Sequence, residues 1–390
     1  MAYKTIGFIP LRKNSKGIPG KNKKKLLGRP LFTWVLTEAI FSKLDEIYVF
    51  TDDEYIIEYI NANFRWTNKV KALKRSEENA SDTASTEAAM MEFCNDHNID
   101  FDVFCLLQAT SPLTTRKDIN EALDKQKLDK LDAVLSVVKT HRFIWSNEGR
   151  ALNYDYKKRP RRQDFDGLLI ENGAIYCTSK NALLKSKNRL SGQIGLIEMD
   201  EDTLTEIDSE TDWLLIEQLL VNKFKTDKSS RRINYLILDV DGVFTDGRVH
   251  FSSEGELSKV FDMRDGMGLE ILRQHGVQVI VMTSEQSEVV AKRMAKLQIE
   301  DVYLGVKDKY SLLSHLCSQR KIVPQEIAYV GDDINDWSNM LRVGWSFCPA
   351  NATKTIKYHA DMVLNSNSAS GAIRETAEFI INYNLRFNDL

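Results

Sequence analysis

One pattern constrains the fold of this chain more than any other. Short apolar runs alternate with amphipathic helical stretches, and the alternation breaks off once and restarts. Thr5–Leu11, Ile47–Thr51, Val103–Gln108 and Ala133–Val138 read as strands, with helices at Leu31–Phe41, Ser85–His97 and Lys117–Lys127 between them. Strands separated by helices imply a mostly parallel, helix-flanked sheet. After an amphipathic helix at Trp213–Leu220 comes NKFKTDKSSRRIN, Asn222–Asn234, which is polar and basic and reads as a boundary. The alternation then resumes with strand Tyr235–Asp239, helix Met267–Gly276, strand Val277–Thr283, helix Ser287–Leu297 and strand Ile327–Gly331. A chain of 390 residues exceeds one ordinary core. The expectation is α/β architecture in two domains, residues 1–226 and 227–390.

Composition excludes several function classes. A net charge of −3 argues against a broad nucleic-acid or membrane footprint, so neither partner is expected. The five cysteines are scattered, odd in number and form no CxxC pair, which points to reduced thiols in a cytoplasmic protein. The first residues hold too short an apolar run for a signal peptide, and no segment approaches the ~20 apolar residues of a membrane span.

In the second half, the apolar strand Tyr235–Leu238 runs into Asp239-Val240-Asp241-Gly242. Two carboxylates this close at the end of a buried strand repel each other, and a bound metal ion offsets that cost. Val281-Met282-Thr283-Ser284 places a hydroxyl at another strand end. Lys307-Asp308-Lys309 supplies cations before a helix, and Tyr329-Val330-Gly331 leads into Asp332, Asp333 and Asp336. Carboxyl ends of strands are where open α/β sheets bind ligands. These types suit phosphate-ester hydrolysis: a nucleophilic carboxylate, an acid for the leaving oxygen, Mg²⁺, and a hydroxyl and lysine for the phosphate. Asp246-Gly247 reads as a turn, Asp308 as a helix cap, and Asp333 as either ligand support or loop solvation.

In the first half, Phe8–Leu11 leads into LRKNSKGIPGKN, Leu11–Asn22. Its two glycines and spaced cations describe a polyanion cradle, although the spacing is not that of a Walker A loop. Lys23, Lys24 and Lys25 read mainly as a solvated run. His141 and His250 have no partner in the pattern, and Trp145 and Trp213 read as packing residues.

Both halves resemble known families. The ordered motifs Asp239–Gly242, Thr283, Lys309 and Asp332–Asp336 resemble the haloacid-dehalogenase phosphatases. The stretch from Asp239 to Leu269, with its Arg264-Asp265-Gly266, resembles the cap-less branch acting on ulosonic acid phosphates. That resemblance implies Asp239 as nucleophile and Asp241 as general acid/base. It implies Mg²⁺ on Asp239, Asp332 and the Asp241 main chain, with Asp336 supporting. Phosphate would bind Thr283 and Lys309, and Arg264 would face the sugar. It further implies a β-hairpin insertion and a homotetramer through this domain. The Gly-rich tail of that branch is only partly matched at Ser368–Glu375.

The loop Leu11–Asn22, with Ser81–Thr86, Leu106–Leu113, Arg161–Asp164, Glu171–Tyr176 and Glu206–Trp213, resembles the cytidylyltransferases that activate acylneuraminates with CTP. The fold implied is like that of nucleotide-diphospho-sugar transferases. Arg12, Lys16 and Lys21 would contact triphosphate, with Arg12 and Lys21 supporting catalysis. Asn22 would contact nucleotide, Thr86 and Gln108 the cytosine edge, and Gln163 and Asn172 the sugar. Asp208 would bind Mg²⁺, with Glu206 or Asp212 as second acid; Asp212 reads equally as a helix-terminus charge. Ala109 stands where the family has proline. Thr114 stands where it has arginine, leaving open whether Arg116 substitutes.

Together these imply a bifunctional enzyme. The second domain would hydrolyse an ulosonic acid 9-phosphate, and the first would join the freed nine-carbon acid to CMP. Vertebrate relatives resemble the arrangement but have lost the second domain's catalytic acids, which are intact here. Two alternatives remain: a second domain serving only tetramerisation, or the same pair acting on an eight-carbon ulosonate.

Overall fold

The computed structural model describes residues 3–15, 17–81, 83–97, 99–224 and 231–387. It is α/β throughout and divides into two compact units: Met1–Lys24 with Pro30–Leu219, and Lys25–Arg29 with Leu220–Leu390. The expected boundary between residues 226 and 227 lies outside the described residues.

In chain order the strands up to the boundary are β1 (Thr5–Leu11), β2 (Lys25–Leu26), β3 (Arg29–Pro30), β4 (Glu46–Thr51), β5 (Val70–Lys74), β6 (Val103–Leu107), β7 (Ala133–Thr140), β8 (Leu168–Ser179) and β9 (Ile194–Met199). Seven of them form one sheet in the order β5-β4-β1-β6-β8-β7-β9, while β2 and β3 pair separately. Alternation along β1 explains how the sheet is covered on both faces. Ile9 and Leu11 join a core with Val35, Leu36 and Ile119, whereas Ile6 and Phe8 join an aromatic cluster with Phe50, Phe93 and Phe104. The Phe8 ring lies 5.1 Å from that of Phe93 and 5.0 Å from that of Phe104.

This sheet is mixed, where a mostly parallel one was expected. β8 runs antiparallel to both β6 and β7. No helical crossover joins β7 to β8; the connection carries only short 3₁₀ turns, so the chain returns antiparallel.

The second sheet contains β10 (Tyr235–Leu238), β13 (Gln278–Met282), β14 (Asp301–Tyr303), β15 (Ile327–Val330), β16 (Trp345–Cys348) and β17 (Met362–Val363). Between β10 and β13, β11 (His250–Ser252) and β12 (Gly255–Ser258) form a separate antiparallel hairpin. The sheet is parallel with order β14-β13-β10-β15-β16-β17, so β10 lies between β13 and β15. The strand order switches at β10, which opens a crevice at its carboxyl end. Leu238, Val281, Val330 and Phe347 bury the strands in one apolar core. No helix among the described residues is long and apolar enough to cross a membrane.

Candidate functional site

In the first unit, a cavity opens at the carboxyl ends of β1 and β6. Arg12, Lys21, Asn22, Thr86 and Gln108 line it together with Asn14 and Ser15. The loop after β1 is held by its own side chains. Asn22 Nδ2 donates to the Arg12 carbonyl at 2.9 Å, and Arg12 Nη1 donates to the Ser81 carbonyl at 3.0 Å. Lys21 Nζ donates to the Ile207 carbonyl at 2.8 Å and lies 3.0 Å from Asp208 Oδ1. Lys16 lies outside the described residues. Thr86 begins the helix Thr86–Asp96, whose cap is Ser85, and Gln108 follows β6 directly.

The three acids expected near this cavity differ in surroundings. Asp208 is exposed and paired with Lys21. Glu206 is half-buried and accepts from Thr110 Oγ1 at 3.2 Å; burial raises its pKa. Asp212 Oδ2 accepts from Ser209 N and Oγ, both at 2.8 Å, while its own N–H donates to Ser209 Oγ at 3.2 Å. That reciprocal pair caps the helix Glu210–Phe224. The Ser209 hydrogen bond lowers the Asp212 pKa. Gln163 is exposed on a short 3₁₀ turn. Asn172 is buried on β8, accepting from Ser136 Oγ at 2.6 Å and donating to Thr203 Oγ1 at 3.1 Å. Neither residue lines the cavity. Arg75 does, almost fully buried and following β5; that strand had no clear pattern, and the arginine was not singled out.

In the second unit, β10, β13 and β15 deliver their terminal residues to one crevice. Asp239 follows β10 and its N–H donates to the Val330 carbonyl at 3.1 Å, tying the two strand ends together. Lys309 is the first residue of the helix Lys309–Arg320 and is buried. Its Nζ lies 2.8 Å from Asp239 Oδ2 and 2.7 Å from Asp336 Oδ1. Asp336 Oδ1 also accepts from Tyr329 OH at 2.7 Å, and Asp336 Oδ2 accepts from Asp332 N at 3.2 Å. Asp239, Asp332 and Asp336 each bring a carboxylate oxygen within 4.8 Å of the others. Gly242, at φ +88°, lets the loop after β10 close on this cluster, because a Cβ there would collide with the Asp332 carboxylate.

One ammonium among three acids leaves negative charge in excess. Burial, then the charge of Asp336, raises the Asp239 pKa to about 7. Burial, then Asp336 and Asp239, raises that of Asp332 to about 8. Burial works against the Lys309 charge, but the two acids outweigh it and raise its pKa. Asp332 Oδ1 is buried with no hydrogen-bond partner. A hard divalent cation fits this donor set: clustered oxygens, surplus negative charge and an unpartnered carboxylate oxygen.

Asp241 Oδ1 is held by Lys259 Nζ at 2.5 Å, and its Oδ2 is buried without a partner. Lys259 just follows β12, and its side chain is almost fully buried. It was not singled out in the sequence, although a lone cation inside GELSKVF was the available signal. Thr283 is buried at the end of β13, with its N–H donating to the Tyr303 carbonyl at 3.0 Å. Arg264 is exposed and paired with Asp262 at 2.7 Å.

Comparison with known proteins agrees with both halves. Residues 6–226 match the cytidylyltransferase family. N-acylneuraminate cytidylyltransferase A of Danio rerio is 32% identical over 385 residues, spanning 96% of this chain and 88% of that protein. The chain belongs to the N-acylneuraminate cytidylyltransferase family. A second family member, from Oncorhynchus mykiss, is 33% identical over 389 residues, with 96% and 88% covered. In this cytidylyltransferase, residues 291–375 also match haloacid dehalogenase-like hydrolases. The 3-deoxy-D-manno-octulosonate 8-phosphate phosphatase of Haemophilus influenzae is 36% identical over 149 residues, 38% of this chain and 83% of that protein. The chain is thus a nucleotidyltransferase fused to a phosphatase-type hydrolase domain, each half with the α/β fold expected.

Proposed function

We propose that this chain carries out two consecutive reactions of acid-sugar activation. The second unit removes phosphate from a nine-carbon ulosonic acid 9-phosphate, and the first joins the freed acid to CMP. The observation that carries the phosphatase reading is the buried cluster of Asp239, Asp332 and Asp336 around Lys309. A domain kept only for assembly gains nothing from such a costly arrangement.

In the phosphatase unit Asp239 attacks phosphorus, and the bond from phosphorus to the sugar oxygen breaks. Asp241 gives that oxygen its proton, with Lys259 fixing one carboxylate oxygen while the other has no hydrogen-bond partner. Water then cleaves the aspartyl-phosphate, with Asp241 accepting the proton. Thr283 and Lys309 hold the phosphate oxygens. Asp239, Asp332 and the Asp241 carbonyl would hold Mg²⁺, with Asp336 orienting them. The bound ion would offset repulsion between carboxylate and phosphate.

In the first unit the sugar's anomeric oxygen attacks the α-phosphorus of CTP and pyrophosphate leaves. Arg12 and Lys21 neutralise charge on the leaving group, and Thr86 and Gln108 face the base. Asp208 and Glu206 are the preferred acids for Mg²⁺, because Asp212 is engaged in the helix cap. Gln163 and Asn172 are assigned to the sugar side through the family resemblance. Arg264 has the same role in the phosphatase unit.

A homotetramer through the second unit completes the proposal. Phe251, Leu257, Val260 and Met263 are exposed on and beside its hairpin, which supports that reading. Sedimentation of the full chain tests it.

The activity test is Asp239→Asn. Mg²⁺-dependent phosphate release should vanish while CMP-sugar synthesis from free acid continues. Wild-type protein that releases no phosphate from any ulosonic acid phosphate would reduce the second unit to an assembly domain. Its similarity to an eight-carbon phosphatase favours a second reading, in which both reactions use an eight-carbon ulosonate. Relative turnover of eight- and nine-carbon substrates decides between them.

A further inference from the structure

The second compact unit contains five residues from far upstream, Lys25–Arg29. They form the hairpin of β2 and β3, turned through Leu27 at φ +49° and Gly28 at φ +84°. Neither the alternation of strands and helices nor the phosphatase motifs gave this hairpin a role.

Its tip meets two loops of the phosphate site. Arg29 is 2% exposed, and its Nη2 lies 2.8 Å from Asp308 Oδ2. Its guanidinium sits 4.4 Å from the centroid of the Tyr310 ring. Asp308 is also the cap of the helix Lys309–Arg320, with Oδ1 accepting from Ser311 N at 3.2 Å. Lys309, which reaches Asp239 and Asp336, therefore stands between two residues that Arg29 touches. Gly28 makes the second contact. A Cβ there would collide with the Ile334 carbonyl oxygen, in the loop between Asp332 and Asp336.

We propose that Arg29 is a positioning residue for the phosphatase, and that the hairpin Lys25–Arg29 braces the lysine loop and the acidic loop against each other. The proposal rests on the phosphatase reading above for its consequence in turnover, but its geometry can be probed through phosphate binding alone. Arg29 acts through Asp308: its Nη2 fixes one carboxylate oxygen, with the guanidinium plane laid against the Tyr310 ring, while the other oxygen caps the helix. With that oxygen released, the helix start and the Lys309 ammonium lose their fixed register. Gly28 acts through the other loop, because only a residue without Cβ leaves the Ile334 carbonyl in place.

The test uses the full chain loaded with Mg²⁺ and inorganic phosphate as probe, measured by titration calorimetry below the melting transition of each variant. Arg29→Met should weaken phosphate binding by about tenfold, the lower range seen when the support of a site residue is removed. Arg29→Lys keeps the charge without the planar group that lies against Tyr310 and should fall between Arg29→Met and wild type. Gly28→Ala should raise the Mg²⁺ concentration needed for half-saturation. CMP-sugar synthesis in the same preparations should be unchanged.

A purely structural role would lower the melting temperature and leave phosphate affinity intact in the folded protein. That result with Arg29→Met overturns the proposal, as it does with Arg29→Lys where the methionine variant fails to fold. Wild-type protein that binds phosphate but hydrolyses no ulosonic acid phosphate would defeat the functional reading instead, with the brace still decided by the affinities.

Discussion

Lys21 and Lys309 are both lysines held by carboxylates, and the carboxylates sit in opposite surroundings. The Lys21 partner, Asp208, is 75% exposed, whereas Lys309 and its partner Asp336 have no exposed side-chain surface. The nucleotide cavity is lined by Arg12 and Lys21 from the loop after β1 and by Arg75 after β5, and its expected ligand brings the negative charge. The phosphatase crevice instead gathers three acids around one ammonium, so its own charge is out of balance before any ligand arrives. Water screens the first arrangement and barely reaches the second. Charge at the first site should therefore matter for turnover, and charge at the second for turnover and folding alike.

The same deletion made at both places gives the largest contrast. Lys309→Met strands Asp239 and Asp336 in the interior, and removing one partner of a buried ion pair typically costs about 3–5 kcal/mol. Phosphate release should disappear as well. Lys21→Met breaks a pair with an exposed partner, for which about 0–1 kcal/mol is the usual range. CMP-sugar synthesis should nonetheless fall by about 10²–10³, as when a preorganised charge donor is lost. Denaturant unfolding of both variants, followed by assays of both activities, checks this. Equal losses of stability would break the comparison.

Metal removal extends the contrast to pH. Burial and mutual repulsion raise Asp239 to about 7 and Asp332 to about 8, from an ordinary value of 3.8. In this window the metal-free folded state binds more protons than the unfolded chain, so its stability falls as pH rises from about 4 toward 8. Mg²⁺ held as proposed would bind the ionised acids, so its stabilising effect should grow over the same range. Melting curves of the second unit's transition, with EDTA and with Mg²⁺, should lie close together at pH 5 and separate by pH 8. A gap that shrinks with rising pH would contradict the assigned ligands.

The legible parts of this molecule are those whose physics is local. β1 was bounded correctly at Thr5–Leu11, because its apolar run ends in a loop of glycines and cations. The acids ending β10 and following β15 were visible as buried strands running into charge, a pattern with a steep cost. Asp308 was read as a helix cap and is one. What escaped depends on distant pairing. The antiparallel course of β8 follows from a long connection without a helix, and its side chains do not announce direction. Lys259 acquires meaning only because the hairpin folds back onto Asp241, and Arg29 only because residues 25–29 pack with a unit that begins some 190 positions later. The buried network that joins Asn172 to Ser136 and Thr203 was likewise not legible, because sequence order alone does not reveal which face of β8 the residue takes.

The smallest effect concerns Asp212, where the contrast between ligand charge and structural charge can be drawn within a single carboxylate. Its oxygen accepts from the cap residue Ser209 at the third position of the helix, a place in a capping box that a side-chain amide also fills. Asp212→Asn should therefore leave stability and CMP-sugar synthesis close to wild type. Asp212→Ala should cost about 1 kcal/mol, the usual net worth of a side-chain hydrogen bond, again with little loss of turnover per folded molecule. Glu206→Gln is the matched control. Glu206 carries no cap and its charge is raised in energy by burial, so it should lose synthesis without losing the helix. A hundredfold fall in synthesis for Asp212→Asn, with an unchanged melt, would transfer the metal-binding role from Glu206 to Asp212 and show that the carboxylate leaves its cap when nucleotide binds.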